Sequence, residues 1–325
     1  MKIAIVGAGA IGGWIGARLA SLGADTSALA RGATLEALRR HGWRLRSGGT
    51  ELQAPVRASD RAEDLGPQDL VVIAVKGQSL PALAPRVAPL LGERTVVLPA
   101  MNGVPWWFLD AGPLAGRRLE AVDPGGAIAA RIPISRVLGC VVHASCSSLE
   151  PGYVQHKFGE GLILGEPDRT MSERLDRVAT LLSNAGFDVT RSENIQQAVW
   201  YKLWGNMTMN PISLLTRADC QAILDDPRVA AFVLQLMDEA REVGRRIGCD
   251  ITETGEARNA VTRKLGAFKT SMLQDAEAGR ELELDPLLAA PLEIARMVGV
   301  PTPGLDALFG LARVHARAAG LCAEV

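Results

Sequence analysis

The sequence predicts a two-part α/β protein, in which a doubly wound parallel sheet precedes an all-helical domain. Short apolar runs alternate with helical stretches through the first half, which is the pattern of a parallel sheet with crossover helices. Strand signals then stop after about residue 193, and amphipathic helical spacing fills the remainder. A length of 325 residues fits two domains of ordinary size, which we predict at residues 1–193 and 194–325.

Apolar, β-branched runs in the first domain predict buried parallel strands over residues 2–7, 25–30, 70–75 and 95–99. The intervening stretches predict helices over residues 11–22 and 81–91. Residues 137–165 contain strand-like runs without intervening helical stretches. They predict a small antiparallel extension on this sheet, interrupted at Glu150-Pro151-Gly152. A helix over residues 171–184 and a short strand over 187–190 complete the domain.

The second domain is predicted to be helical over residues 194–209, 226–248, 255–265, 270–278, 287–298 and 305–319. Asp226-Pro227 is a typical helix start, because proline is well tolerated at the first helical position. Pro211 lacks a backbone donor and is expected to kink or stop the preceding helix beside Asn210.

Composition excludes several classes of function. Lys and Arg total 35 against 36 for Asp and Glu, a balance that gives no indication of a nucleic-acid partner. The five cysteines form no CxxC pair and the four histidines no close pair, so neither a disulfide framework nor a metal site is predicted. Such thiols are typical of a cytoplasmic protein, and no run approaches the ~20 apolar residues of a membrane-spanning helix.

The run Gly7-Ala8-Gly9-Ala10-Ile11-Gly12 matches GxGxxG, and it follows a predicted strand and opens a predicted helix. Gly7 permits a tight turn, Gly9 lets a pyrophosphate approach the backbone, and Gly12 lets helix and strand pack closely. The N–H groups and the dipole of the helix N-terminus favour phosphate. This context predicts a Rossmann-type dinucleotide-binding domain.

The residues after the next strands indicate which dinucleotide binds. No acidic residue follows the second strand to hold a ribose 2′-hydroxyl, whereas Arg31 suits a 2′-phosphate, so we predict NADPH. The alternative for Arg31 is an ordinary surface arginine. Lys76 and Asn102 follow two further strands, at the sheet edge where ligands bind, and are predicted to contact the cofactor. Their alternatives are a surface charge and an Asn-Gly turn.

A polar stripe crosses the first helix of the second domain. Lys202, Asn206 and Asn210 lie at i, i+4 and i+8, and the residues around them are mostly apolar. Polar side chains on a buried helix need hydrogen-bond partners or a wet cleft, so the stripe is a candidate substrate site. The alternative is an amphipathic helix that exposes Lys202 to water.

Together these motifs resemble those of the ketopantoate reductase family (PanE/ApbA). The matching positions are Gly7–Gly12, Arg31, Val75-Lys76, Asn102-Gly103, Lys202–Pro211, Ser271–Asp275 and Glu283–Asp285. The resemblance spans nearly the whole chain. It implies a Rossmann-type domain and a helical domain with the site in the cleft between them. It also implies NADPH-dependent reduction of ketopantoate to (R)-pantoate for pantothenate biosynthesis.

Residue roles follow from the resemblance. Lys202 would be the catalytic acid, and Glu283 a second catalytic carboxylate that contacts the substrate hydroxyl and Lys202. A lysine suits this role because its reference pKa of about 10.4 keeps it protonated near neutrality. Glu281 is two residues from Glu283, and the family pattern rather than the spacing favours Glu283.

The resemblance further implies that Asn206 and Asn210 hold the hydroxyl side of the substrate and Ser271 its carboxylate. Asn102 would lie between nicotinamide and substrate.

The chain also departs from the family pattern, so substrates other than ketopantoate stay open. Pro286 interrupts the last motif, and Leu288-Ala289 stands where the family often has a glycine. Trp106-Trp107 either reshapes the pocket or packs in the core. The alternative functions are a reductase of another 2-keto acid or ketone, and a non-catalytic NADPH-binding sensor. The apolar helical domain permits a homodimer without requiring one.

Overall fold

The computed structural model describes residues 1–264 and 266–322; Leu265, the last residue of a predicted helix, and residues 323–325 lie outside the description. The chain forms two compact units. Unit 1 comprises residues 1–102 and 123–198, and unit 2 comprises residues 103–122 and those from 199 onward. Residues 103–122, which the sequence-based boundary assigns to the first domain, pack with the helices of unit 2. The boundary at 193/194 itself stays a prediction.

Unit 1 is an α/β structure with two sheets. Its strands are β1 (Lys2–Val6), β2 (Asp25–Leu29), β3 (Trp43–Ser47), β4 (Thr50–Ala54), β5 (Arg57–Ser59), β6 (Gln68–Ile73), β7 (Leu91–Pro99), β8 (Gly139–Glu150), β9 (Tyr153–Gly165) and β10 (Asp188–Arg191). Its helices are α1 (Ala10–Ser21), α2 (Gly32–His41), α3 (Leu80–Val87) and α4 (Glu173–Asn184).

The first sheet has the strand order β5-β2-β1-β6-β7, and every pairing in it is parallel. Val6 of β1 pairs in register with Leu29 of β2 and Ile73 of β6, and Ile73 pairs with Pro99 of β7. The carboxyl ends of four strands are therefore level. This sheet confirms the predicted doubly wound architecture.

The antiparallel strands predicted over residues 137–165 do form, but they were wrongly placed on the first sheet. Strands β8 and β9 belong to a second, mixed sheet, in which β9 pairs antiparallel with β8 and parallel with β3 and β10. Strand β4 completes it beside β3. The sequence did not reveal β3, because exposed and half-buried arginines alternate there with buried Trp43 and Leu45 and leave no continuous apolar run.

Helix α1 packs between the two sheets, because three of its glycines allow close approach. A Cβ on Gly12 would overlap the carbonyl oxygen of Gly7 beside β1. A Cβ on Gly13 would lie 2.6 Å from Val154 of β9, and one on Gly16 would lie 2.6 Å from the Trp43 ring of β3. The core of unit 1 surrounds this helix, whose own Trp14 and Ile15 are fully buried.

Unit 2 is helical apart from the segment 103–122, which contains a short 3₁₀ turn at Phe108–Asp110. Its helices are α5 (Ile195–Thr216, shared with the end of unit 1), α6 (Cys220–Asp225), α7 (Pro227–Arg246), α8 (Gly255–Arg263), α9 (Ser271–Glu277), α10 (Ala290–Met297) and α11 (Pro303–Ala318). One π-helical turn over Asp285–Ala289 precedes α10. The side chain of Asp226 caps α7 by accepting from the backbone N–H of Arg228 and Val229 at 2.9 and 3.0 Å.

Pro211 was expected to kink or stop helix α5; the stop is wrong, and the kink stays a prediction. The helix continues to Thr216, with Pro211 in its interior. Ile212 and Leu214 beyond the proline are 4% and 1% exposed, so burial of apolar side chains offsets the lost backbone hydrogen bond. Among the described residues, no helix is both long and apolar enough to cross a bilayer.

Candidate functional site

The turn between β1 and α1 is built by two glycines that the protein's own packing requires. Gly7 has φ +89°, and a Cβ on it would lie 2.5 Å from Val75 Cγ1 and 2.8 Å from the carbonyl oxygen of Ala74. Gly12 lies against Gly7 itself, as described above. The chain therefore turns sharply from strand to helix, with Ala8 buried and Ala10 and Ile11 half-buried.

Gly9 differs from its two neighbours in the motif. Its φ is −79°, and a Cβ built on it meets no protein atom within 4 Å. Neither backbone strain nor internal packing therefore requires glycine at this position. Gly9 is also the N-cap of α1, without a side-chain cap and without an acidic residue in the first turn. An exposed glycine beside an uncapped helix N-terminus fits a bound pyrophosphate.

The other predicted cofactor residues of unit 1 follow the level strand ends of the first sheet. Arg31 follows β2, is exposed, and forms no ion pair within residues 1–264 and 266–322. Lys76 and Asn102 are half-buried and follow β6 and β7. Because these strands are parallel and in register, the structure brings all three residues to the edge that carries the β1–α1 turn.

The polar stripe of α5 lies on a mostly buried part of the helix in unit 2. Lys202 and Asn206 are half-buried, and Asn210 is only 4% exposed. Trp204 and Thr208, on the opposite side, are fully buried. The structure therefore keeps the three polar side chains along one face, as their spacing predicts.

Helix α5 is held rigidly against α7 by two tryptophans. The indole N–H groups of Trp200 and Trp204 donate to the carbonyl oxygens of Ala240 and Met237, at 3.1 and 2.8 Å. Gly244 of α7 leaves room for the Trp200 ring, which a Cβ there would overlap. A helix fixed in this way gives the side chains of its stripe a defined position.

Ser271 is the first residue of α9 and is exposed. The preceding residue, Thr270, caps α9 by accepting from the backbone N–H of Leu273, and its hydroxyl lies 2.5 Å from that of Ser213 on α5. The N-terminus of α9 is thereby tied to the helix that carries the stripe.

Glu283 is half-buried between Leu282 and Leu284, whose side chains are 5% and 6% exposed, whereas Glu281 is exposed. Burial thus distinguishes the two carboxylates, which sequence spacing alone did not.

The positions that depart from the family pattern form part of the packing of unit 2. The backbone N–H of Val104 donates to the carbonyl oxygen of Pro286 at 2.8 Å, and a Cβ on Gly103 would lie 2.6 Å from Pro286. Trp106 and Trp107 are 5% and 1% exposed, so both indoles pack inside unit 2. This burial favours core packing over a role in shaping the substrate pocket.

Two of the five cysteines have thiols that burial makes unreactive. The five cysteines, all within the described residues, form no disulfide. Burial raises the pKa of the Cys146 thiol to about 12 and that of the Cys220 thiol to about 11, so neither is a nucleophile near neutrality. In residues 1–264 and 266–322, no three His, Cys, Asp or Glu side chains are grouped to bind a metal.

Two family models match the chain. The model described as ketopantoate reductase PanE/ApbA matches residues 3–169, and the model of the ketopantoate reductase PanE/ApbA C-terminal region matches residues 194–316.

Individual relatives agree with these models. A 2-dehydropantoate 2-reductase of Mesorhizobium japonicum is 45% identical over 96% of this chain and 97% of its own. A crystal structure from Ralstonia solanacearum, described as a candidate ketopantoate reductase, is 55% identical with a TM-score of 0.96, covering 98% and 99% of the two chains.

A third similarity concerns the fold alone. A D-mandelate dehydrogenase solved with NADH and anilino(oxo)acetate is 21% identical, with a TM-score of 0.84 over 99% of this chain and 100% of its own. The fold therefore does not by itself specify which substrate or which nicotinamide cofactor is used.

Proposed function

Because the chain belongs to the ketopantoate reductase PanE/ApbA family, we propose that it is an NADPH-dependent 2-dehydropantoate 2-reductase. It would reduce the 2-keto group of ketopantoate to give (R)-pantoate for pantothenate biosynthesis. The observation that carries the proposal is the stripe of half-buried Lys202 and Asn206 and buried Asn210, on a helix whose other residues are mostly apolar. A protein that only bound a nucleotide would not need such a stripe in its second unit.

Cofactor binding is assigned to unit 1. The backbone of Gly7, Ala8 and Gly9 and the first turn of α1, from Ala10 to Gly12, would hold the pyrophosphate. Arg31 would pair with the 2′-phosphate through its planar fork, which distinguishes NADPH from NADH.

Two more residues of the same sheet edge would contact the cofactor. Lys76 would contribute positive charge near the phosphates, and Asn102 would orient the nicotinamide and the substrate. When bound, the cofactor supplies the hydride for the 2-keto carbon.

Proton transfer is assigned to Lys202. As the 2-keto carbon is reduced, negative charge grows on its oxygen, and the Lys202 ammonium would stabilise that charge and then donate a proton to it. Glu283 would contact the hydroxyl of the substrate and orient Lys202. Asn206 and Asn210 would hold the hydroxyl side, and Ser271 would donate a hydrogen bond to the carboxylate.

A reductase of another 2-keto acid is the second candidate. It is favoured by the buried Pro286 and Leu288, which replace the usual pattern directly after Glu283. A homodimer and a cytoplasmic location are also part of the proposal, and sedimentation velocity would test the former.

The deciding experiment measures NADPH oxidation with ketopantoate and with a panel of other 2-keto acids. We expect Lys202→Ala to lower kcat about 10²- to 10⁴-fold, because the proton donor is lost. The dissociation constant for NADPH, measured by fluorescence titration, should stay unchanged. Lys264→Ala, at an exposed lysine of the same unit, is the control and should behave as wild type. Full activity of Lys202→Ala would contradict the mechanism, and a wild type that reduces no 2-keto acid would favour the sensor.

Cofactor preference is tested with Arg31→Gln. Removing a charge-assisted contact to the 2′-phosphate should raise the dissociation constant for NADPH about 10- to 100-fold and leave that for NADH unchanged. Arg40→Gln, at an exposed arginine further along α2, is the matched control. Comparable turnover of the wild type with NADH and NADPH would refute the assignment of Arg31.

A further inference from the structure

Arg258 of α8 lies against the helix that carries the polar stripe, within unit 2. Its guanidinium carbon lies 5.5 Å from the centroid of the Tyr201 ring of α5. Its Nη2 atom lies 3.0 Å from the position that a Cβ would take on Gly205, one turn further along α5. The guanidinium therefore lies across α5, stacked on an aromatic ring and passing over a glycine.

This guanidinium lacks the acidic partner that a half-buried arginine normally has. Its Nε atom is buried without a hydrogen-bond partner, and within the described part of the chain its side chain forms no ion pair. Glu253, whose carboxylate accepts from the Tyr201 hydroxyl at 2.5 Å, forms no ion pair with it there. An N–H group buried without an acceptor costs free energy, so a residue kept in this state is a candidate for ligand binding.

The position of the guanidinium relative to the stripe follows from helix geometry. Each residue advances about 100° around a helix, so Gly205 lies about 60° from Lys202 and about 100° from Asn206. Tyr201 and Gly205 thus form the edge of α5 next to the stripe. An anion bound by Arg258 over this edge would lie on the side of α5 next to Lys202.

We propose that Arg258 binds the carboxylate of the 2-keto acid substrate. The inference rests on the proposed function and adds a residue that the sequence motifs did not identify. The planar guanidinium fork matches a carboxylate and would supply the positive charge that Ser271 lacks. Arg258 would make the enzyme selective for 2-keto acids over neutral ketones and esters.

Gly205 supports this assignment. Glycine inside a helix costs about 0.5–1 kcal/mol relative to alanine, and the helical backbone of α5 does not require it. A side chain there would displace the guanidinium, which is the far end of a flexible arginine and moves easily. The glycine therefore keeps the edge of α5 open for the guanidinium.

The first test compares Arg258→Gln and Arg258→Lys with the wild type. Loss of a charge-assisted pair should raise KM for the keto acid about 10- to 100-fold in Arg258→Gln, with kcat changed far less. Arg258→Lys should fall between the two, because it keeps the charge and loses the fork. Arg317→Gln, at an exposed arginine of α11, is the control and should match wild type. Thermal unfolding of each variant identifies any that fails to fold.

The second test uses the methyl ester of the same keto acid as a neutral substrate. The wild type should prefer the acid strongly, and Arg258→Gln should lose most of that preference. A purely structural role would lower turnover of acid and ester alike and leave their ratio unchanged, which would overturn the proposal. A wild type that reduces neither compound nor any other 2-keto acid would overturn the proposed function as well.

The third test is Gly205→Ala, which perturbs the guanidinium without touching its charge. KM for the acid should rise at least severalfold, while the protein stays as stable as the wild type or becomes more so. Unchanged KM for the acid in this variant and in Arg258→Gln would reject the assignment of Arg258.

Discussion

Helices α1 and α5 are both buried and both carry internal glycines, but the neighbours of those glycines differ. In α1, Gly12 and Gly16 face a backbone carbonyl and the rigid Trp43 ring. In α5, Gly205 faces the movable end of Arg258. A glycine against rigid atoms is needed for close packing, whereas a glycine against a flexible charged group can be changed at little cost in stability. The comparison separates glycines that build the fold from those that shape a site.

The same contrast appears inside the GxGxxG turn. Gly7 and Gly12 are required by the packing of the turn, whereas a Cβ on Gly9 would meet no protein atom within 4 Å. Packing within the protein therefore explains two glycines of the motif, Gly7 and Gly12, but not the third, Gly9. Substitutions that add one methyl group at each position test this distinction directly.

The largest effect is expected for Gly12→Ala. The added Cβ would overlap the carbonyl oxygen of Gly7, and backbone cannot move aside as a side chain can. We expect the free energy of unfolding in urea to fall by about 3 kcal/mol or more, with loss of NADPH binding. Gly310→Ala is the control, because a Cβ in that part of α11 meets nothing within 4 Å. If the Gly12→Ala protein were as stable as the wild type, packing would not require this glycine and the distinction between the glycines would be wrong.

A smaller effect is expected for Gly16→Ala, whose Cβ would lie 2.6 Å from the Trp43 ring. The ring is held by a hydrogen bond from its indole N–H to the Thr26 hydroxyl, so it yields only partly. We expect a loss of about 1–3 kcal/mol in the free energy of unfolding. Adding Trp43→Phe should recover part of that loss in a double-mutant cycle. Strictly additive losses would show that the two side chains do not collide.

The smallest effect on stability is expected for Gly9→Ala. Its free energy of unfolding should stay within about 0.5 kcal/mol of the wild type, since no protein atom lies near the new methyl group. The dissociation constant for NADPH should nevertheless rise at least about tenfold, because the methyl group would occupy the approach of the pyrophosphate. Unchanged NADPH binding, measured by fluorescence titration, would remove Gly9 from the cofactor site.

Some elements were predictable from local pattern and others were not. Strands β1 and β6 and residues 95–99 of β7 are buried on both faces almost throughout, so each appears in the sequence as a continuous apolar run. Strands β3 and β4 expose one face, and β9, the other partner of β3, lies about 100 residues away, so no local signal linked these strands into a second sheet. The end of α5 was missed for a related reason. Pro211 locally disfavours helix, but burial of the residues beyond it outweighs that preference.

The candidate site shows the same division. The motif residues of the turn and of the stripe could be identified because their chemistry depends on spacing within one element. Arg258 could not, because its significance lies in its contacts with Tyr201 and Gly205, more than 50 residues away in the sequence. Glu283 was favoured over Glu281 by family pattern alone until burial distinguished them.

By itself the sequence determined the α/β class, the helical second region and the turn at Gly7–Gly12, since each depends on the order and period of neighbouring residues. The tertiary structure decided the second sheet, the burial of Trp106 and Trp107, and the unpaired state of Arg258. These features depend on which distant groups meet and on which polar atoms find partners. The spacing of residues along the chain does not reveal such contacts, because they form only when folding brings distant groups together and excludes water from between them.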